Sequence, residues 1–308
     1  IMHNKFIIID AGSTNNSWVM GGSTNWTNPT NLFNDYNNII FIQDKAISQA
    51  YTLEFNEMWG GTFGSNKEDN TPHLFNVNGT EMEVYFSPSD QTTSKILGFV
   101  NDVDYTLEFG LLGFTRDDIA DAVIDKDGEF GINVRGILED QNTTGSEYDN
   151  LINSGVNVKS HMGIQYSFHH KYAIADAGVS GSNPSILTGS HNWSSNAENN
   201  SDENTIIIHD QTIANIYLQE FEKRWGELSS TSVQLIIEEE LEIYPNPSEG
   251  KVNILTDLEI ERINIYSIEG KLIKTFEATK FNLETSGIYF VKITFSDGNY
   301  TIRKVVIQ

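Results

Sequence analysis

The chain has 308 residues, 38% of them apolar, and carries 43 acidic against 19 basic side chains for a formal net charge of −24 at pH 7. Such a surface repels polyanions at long range and argues against loose, sequence-independent binding to long nucleic acids. The absence of cysteine fits a reducing compartment or a secreted bacterial protein that does without disulfides.

Taken in chain order, the first element is a predicted strand over Lys5–Ile9, entered through His3-Asn4-Lys5 and left at Asp10. Side chains two apart on a strand share a face, so His3 and Lys5 point the same way. Ser23 and Asn25, within Gly22-Ser23-Thr24-Asn25-Trp26, have the same spacing on an expected second strand. An imidazole, a cation, a hydroxyl and an amide converging on one pocket suit a tetrahedral phosphate anion. Tyr51 to Trp59 is predicted as an amphipathic helix, and residues 61–78, rich in Gly, Ser, Asn, Asp and Pro, as a connection.

Strands and helices then alternate from 79 to 228. Expected are strands at Glu83–Ser87, Tyr105–Leu112 and Asn133–Leu138. Helices are expected at Ser94–Val103, at Asp117–Asp125 with Asp117 or Thr115 as cap, and at Tyr148–Ser154 before Gly155. The segment ends on a second copy of the opening pattern. His169-His170-Lys171 leads through Tyr172–Ala175 to Asp176, followed by Gly189-Ser190-His191-Asn192-Trp193. The copies extend beyond the motif: His3 to Trp59 and His169 to Trp225 span the same distance (59 − 3 = 225 − 169 = 56). Within that frame Asn38 matches Asn204, Tyr51 matches Tyr217 and Phe55 matches Phe221. His170 is expected to point away from His169. Trp26 and Trp193 are expected to fill core or pocket wall, and His73, His161, His191 and His209 show no ligand spacing. Residues 229–240, with the run Glu238-Glu239-Glu240, are expected to form a linker. Alternating short strands with Gly turns then predict an all-β, immunoglobulin-like sandwich over 241–308.

Two His-x-Lys-x4-Asp motifs with trailing Gly-Ser-x-Asn resemble the phospholipase D superfamily over residues 1 to 228. The resemblance implies an α/β fold of two pseudo-symmetric lobes, with the first (1–60) truncated at its N-terminus and the second over 79–228, so that the chain is expected to be a fragment. It implies a catalytic set of His3, His169, Lys5, Lys171, Asp10 and Asp176, although both aspartates are off the His/Lys parity and suit a structural role at the strand end. Ser23, Asn25, Ser190 and Asn192 would bind the substrate phosphate. One histidine attacks phosphorus to give a covalent phosphohistidine and the other protonates the leaving oxygen. Asn37 and Glu203, each 34 positions after its histidine, would orient the histidine of the other lobe, with His3 as nucleophile beside the carboxylate and His169 as acid. No cofactor and no metal are implied. The substrate is a phosphodiester, with phospholipid favoured over nucleic acid, and a surface binding protein that keeps the fold without turnover is the competing class.

Tyr244-Pro245-Asn246-Pro247, Ile265-Tyr266, Ser286-Gly287-Ile288-Tyr289 and the terminal Lys304-Val305-Val306 resemble the C-terminal sorting domain of the type IX secretion system. That implies a Bacteroidetes-type bacterium, export across the outer membrane to the surface or medium, and the secretion machinery as partner, with no stable protein partner otherwise.

Overall fold

A computed structural model describes the chain apart from residues 28, 180, 230–240, 257, 269–270, 277–278 and 297–299. It divides into two compact units, Ile1–Ser230 and Thr231–Gln308. Most of the expected linker over 229–240, including Glu238 to Glu240, lies outside the described residues.

The first unit opens with β1 (Phe6–Ile9), β2 (Trp18–Gly22), a short helix α1 (Pro29–Phe33) and β3 (Ile39–Ile42). The three strands form an antiparallel sheet in the order β1-β2-β3. Helix α2 (Lys45–Trp59) follows, its N-terminus capped by Asp44, which accepts from the Ile47 amide at 2.9 Å. Ile47, Ala50, Tyr51, Glu54 and Met58 recur at helical spacing and are the buried face.

The remainder runs β4 (Leu74–Val77), β5 (Thr80–Ser87), α3 (Thr92–Asn101), β6 (Thr106–Leu111), α4 (Asp117–Asp127), β7 (Asn133–Leu138), α5 (Tyr148–Asn153), β8 (Asn157–Ser160), β9 (Lys171–Ala175), β10 (Ser185–Gly189), α6 (Ser195–Asn200), β11 (Glu203–His209) and α7 (Gln211–Ser229). Its eight strands form one sheet in the order β4-β5-β11-β10-β9-β6-β7-β8, parallel across β6, β7 and β8 and antiparallel elsewhere. Every residue of β9 and β10 is buried, because helices or loops cover both faces of the middle strands.

Several boundaries differ from those expected. The connection over 61–78 contains β4, which pairs with β5 from Leu74↔Glu83 to Val77↔Thr80. Helix α4 has Arg116 at its N-cap and no side-chain cap; Asp117 and Asp118 sit inside the first turn, where carboxylates favour the positive end of the helix dipole. The strand expected to carry Ser23 and Asn25 stops at Gly22, and its counterpart stops at Gly189. Both glycines have positive φ (146° and 152°), and a Cβ there would lie 2.3 Å from the Asn38 oxygen or 2.1 Å from the Asn204 oxygen. Only glycine permits that approach.

One core cluster joins the two halves: Val19, Ile42, Ile47 and Tyr51 pack with Phe86, Phe168, Tyr172, Ile206 and Phe221. Each such side chain fully buried contributes about 1.5–3 kcal/mol, so the halves share one core.

The second unit contains β12 (Glu242–Tyr244), β13 (Lys251–Leu255), β14 (Ile260–Tyr266), β15 (Leu272–Phe276), β16 (Lys280–Asn282), β17 (Gly287–Phe295) and β18 (Tyr300–Ile307). They form two antiparallel sheets, β12-β13-β16 and β15-β14-β17-β18. Alternate residues Val252, Ile254, Ile263, Ile265, Val291 and Ile293 face inward as its core. Among the described residues no helix is long and apolar enough to cross a membrane.

Candidate active site

The two motifs meet because each half holds the histidine of the other. The His3 amide donates to the Asp202 carbonyl at 3.0 Å, and the His169 amide to the Tyr36 carbonyl at 2.9 Å. One residue further along, the side chains repeat the exchange. His3 Nδ1 lies 2.7 Å from both carboxylate oxygens of Glu203, and His169 Nδ1 lies 2.9 Å from Asn37 Oδ1. With Nδ1 occupied in this way, Nε2 is the free nitrogen of His3, while His169 Nε2 lies 3.3 Å from the Asn25 amide nitrogen. His3 keeps about a third of its side chain exposed (31%), whereas His169 is almost covered.

Ser23 and Ser190 correct the expectation that they bind phosphate. Both are fully buried, and both hydroxyls are spent beneath the orienting groups. Ser23 Oγ donates to Asn37 Oδ1 at 3.0 Å, and Ser190 Oγ to Glu203 Oε2 at 2.6 Å. Asn25 does stand at the imidazole. Asn192 is half-buried beside Gly113, and its carboxamide oxygen makes no hydrogen bond within the protein.

Lys5 and Lys171 each curl onto their own histidine: Lys5 Nζ donates to the His3 carbonyl at 2.7 Å and Lys171 Nζ to that of His169 at 2.9 Å. An ammonium has three donors, so each retains capacity for an anion. Burial lowers Lys5 to about 8, with Glu203 pulling the other way. Burial, then repulsion from Lys5, takes Lys171 well below the usual lysine range. Burial, then the charges of Lys171 and Lys5, brings His169 down to about 3. Burial and mutual repulsion thus disfavour the charged forms of these groups, and an anion beside them would act in the opposite sense.

Asp10 and Asp176 stand apart from the histidines, in strand-end positions that suit the structural role. Both have positive φ at the far ends of β1 and β9. The Asp176 carboxylate accepts from the amides of Tyr105 at 2.8 Å, Thr106 at 2.9 Å and Asp104 at 3.2 Å, tying β9 to the start of β6. The Asp10 carbonyl accepts from the Ser13 amide and the Ser17 hydroxyl, both at 2.8 Å. Their place off the His/Lys parity is the physical reason.

A deeper polar layer repeats in both halves. Asn38 Oδ1 accepts from Thr188 at 2.9 Å and Tyr217 at 3.2 Å, and its amide faces His170 Nδ1 at 3.3 Å. His170 is buried beside Glu220, so it packs within the protein. Asn204 correspondingly donates to Asn4 at 2.9 Å. Trp193 is fully buried against Phe109 and Phe114, whereas Trp26 is exposed and takes no part in the core. Among the described residues Asp69, His73 and Asp90 bring possible metal-donor atoms within 4.8 Å of one another, a grouping the spacing of His73 did not disclose. Both His73 nitrogens have partners there, Val84 O at 3.0 Å and Asp69 at 2.9 Å.

Residues 1–59 and 102–225 match the family of cardiolipin synthase, PLD-like domains, and residues 242–308 match the secretion system C-terminal sorting domain. The chain is 31% identical over 154 residues to the mitochondrial cardiolipin hydrolase of Xenopus tropicalis, covering 49% of this chain and 70% of that protein. It is 28% identical over 142 residues to the protein of the same name from Chlamydomonas reinhardtii, covering 46% and 60% respectively. The fold is similar to that of the phosphatidylserine synthase of Haemophilus influenzae, at TM-score 0.52 and 14% identity over 74% of this chain and 62% of that one.

The fold and the paired histidines define a phospholipase D-type α/β phosphodiesterase architecture. The chain belongs to the PLD-like family of phosphodiesterases and carries a sorting domain that directs it to the cell surface or the medium.

Proposed function

We propose that the paired site hydrolyses the phosphodiester of a phospholipid through a covalent intermediate on His3. The carrying observation is the unequal support of the two imidazoles, with Glu203 on His3 Nδ1 and Asn37 on His169 Nδ1. His3 Nε2 attacks phosphorus, the P–O bond to the leaving group breaks, and His169 Nε2–H gives its proton to the departing oxygen. The imidazole becomes cationic as the N–P bond forms, and the Glu203 carboxylate stabilises that charge. A water molecule then attacks phosphorus while His169 takes its proton, and the N–P bond breaks. Lys5, Lys171, Asn25 and Asn192 hold the nonbridging oxygens. Burial and the two lysines hold His169 in its neutral form, and the phosphate anion offsets Lys5 and Lys171 and lets it carry the proton it delivers. The phospholipid class is supported by the relatives' name, cardiolipin hydrolase.

The test incubates the protein in excess EDTA with vesicles of cardiolipin or phosphatidylcholine and, in parallel, with single- and double-stranded DNA. His3→Ala and His169→Ala serve as controls. Phosphatidic acid release that is lost in both variants is the expected result. Cleavage of DNA alone overturns the substrate class, and activity on neither overturns the enzyme reading. A covalent adduct trapped by rapid denaturation at alkaline pH, where the N–P bond survives, and mapping to His169 would reverse the two roles.

A further inference from the structure

The duplication places a buried cation behind each histidine, but the two cations come from different parts of the chain. Behind His169 it is Arg224 on α7, whose Nε lies 3.0 Å from Glu220 and whose guanidinium sits 4.7 Å from the centre of the Tyr36 ring. Tyr36 supplies the carbonyl that holds the His169 amide. Positions in the two halves correspond at a shift of 166 (169 − 3 = 166), so Arg224 is matched by Met58, Glu220 by Glu54, and Tyr36 by Asp202. The first half thus keeps the carboxylate and the accepting carbonyl but has Met58 in place of a cation on its helix at that position.

The missing charge arrives from the connection between the halves. Lys67 Nζ lies 2.5 Å from Glu54 Oε1, 2.9 Å from the Ser87 carbonyl and 3.5 Å from Asp202 Oδ1, with all three side chains buried. The Gly64 amide, from the same connection, donates to Asp202 Oδ1 at 2.8 Å. Asp202 in turn accepts the His3 amide and precedes Glu203, while Glu54 lies 3.5 Å from the Asn4 amide nitrogen next to His3. Both flanks of His3 therefore lead back to this one ammonium.

We propose that Lys67 is a positioning residue for His3, holding Asp202 and Glu54 so that Glu203 meets His3 Nδ1, in the place that Arg224 fills for His169. It touches no substrate atom. The connection is thereby part of the site's framework, and the two histidines are aimed by separate cations. This inference rests on the histidine-pair reading above.

The experiment uses the full chain and two readouts. One is the low-field proton resonance of His3 Nδ1–H on Glu203, assigned by its loss in His3→Gln, which needs no turnover. The other is kcat and KM on a p-nitrophenyl phosphodiester. Lys67→Met is expected to shift or broaden the His3 resonance and leave that of His169 in place. It should also lower kcat about 10- to 100-fold with KM within about threefold, the order of loss that a misplacement of about 1 Å produces. Arg224→Met should move the His169 resonance instead. Burial already raises Glu54 to about 7 with Lys67 beside it, so Lys67→Met may be combined with Glu54→Gln to remove the uncompensated carboxylate. The double variant is expected to fold and still show the altered His3 resonance and low kcat. Wild-type resonance and kcat in either folded variant would overturn the proposal, since the lysine would then only balance charge. If the unmodified protein turns over no phosphodiester, the functional reading fails while the resonance still decides the role of Lys67.

Discussion

Glu203 and Asn37 occupy equivalent positions of the duplicated half and hold opposite histidines, so the repeat changes from a carboxylate to an amide where it meets Nδ1 of the motif histidine. Beneath both, the serine hydroxyl is unchanged, with Ser190 on Glu203 and Ser23 on Asn37. A repeated framework with one substituted charge thus gives the two imidazoles different Nδ1 partners from one template.

Replacing Glu203 by Gln keeps the shape and removes the charge. A hydrogen bond to a charged group contributes about 1.5–3 kcal/mol, so kcat should fall roughly 10- to 100-fold, with KM little altered. Steady-state kinetics on a soluble phosphodiester checks this. An unchanged kcat would show that the carboxylate has no part in the chemical step.

The His169 proton should depend on the ligand. Burial and the charges of Lys171 and Lys5 pull its imidazole down to about 3, and an anion between the lysines removes part of that repulsion. Titration of 13C-labelled histidine should place His169 near the bottom of the accessible pH range alone, and higher with vanadate bound. A resonance titrating near 6.5 in both states would refute this electrostatic picture.

Acid should destabilise the first unit. Burial lowers both His169 and His170, so both stay neutral in the folded chain below the pH at which they take up a proton in the unfolded one. The stability they add is complete above about 6.5 and is lost as pH falls, over a window that for His169 reaches down to about 3. Each proton contributes a slope of about 1.4 kcal/mol per pH unit. Urea midpoints between pH 7 and 5 should decline, and His170→Gln should flatten the decline. An identical slope in that variant would argue against His170 as a source.

Asp176→Ala separates structure from chemistry at the last residue of the motif. Its carboxylate accepts three backbone amides at the start of β6, and leaving buried donors unmet costs about 1–3 kcal/mol each. A lower melting temperature with kcat within about twofold of the parent is expected at temperatures where the variant is folded. A large loss of kcat without loss of stability would return Asp176 to the catalytic set.

The motif spacings disclosed the site because side-chain parity on a short strand depends only on local geometry. A repeat of two carried back from the strands grouped His3 with Lys5 and His169 with Lys171 and set the aspartates apart, although β1 begins only at Phe6 and β9 at Lys171. The same rule misassigned Ser23 and Ser190, since it ran the strands through Gly22 and Gly189, where positive φ turns the chain under the orienting residues. The carbonyls of Tyr36 and Asp202 left no trace in residue type, because any residue offers a carbonyl. Lys67 stood in a polar connection with no periodicity, and only the fold shows that its ammonium is buried between two carboxylates.

Because each imidazole takes its orienting partner from the other half, no single half contains a finished reactive group. Competence appears only when the two halves have closed on their common core. For a chain whose sorting domain directs it out of the cell, pairing of both imidazoles with their partners thus waits on folding of the whole first unit.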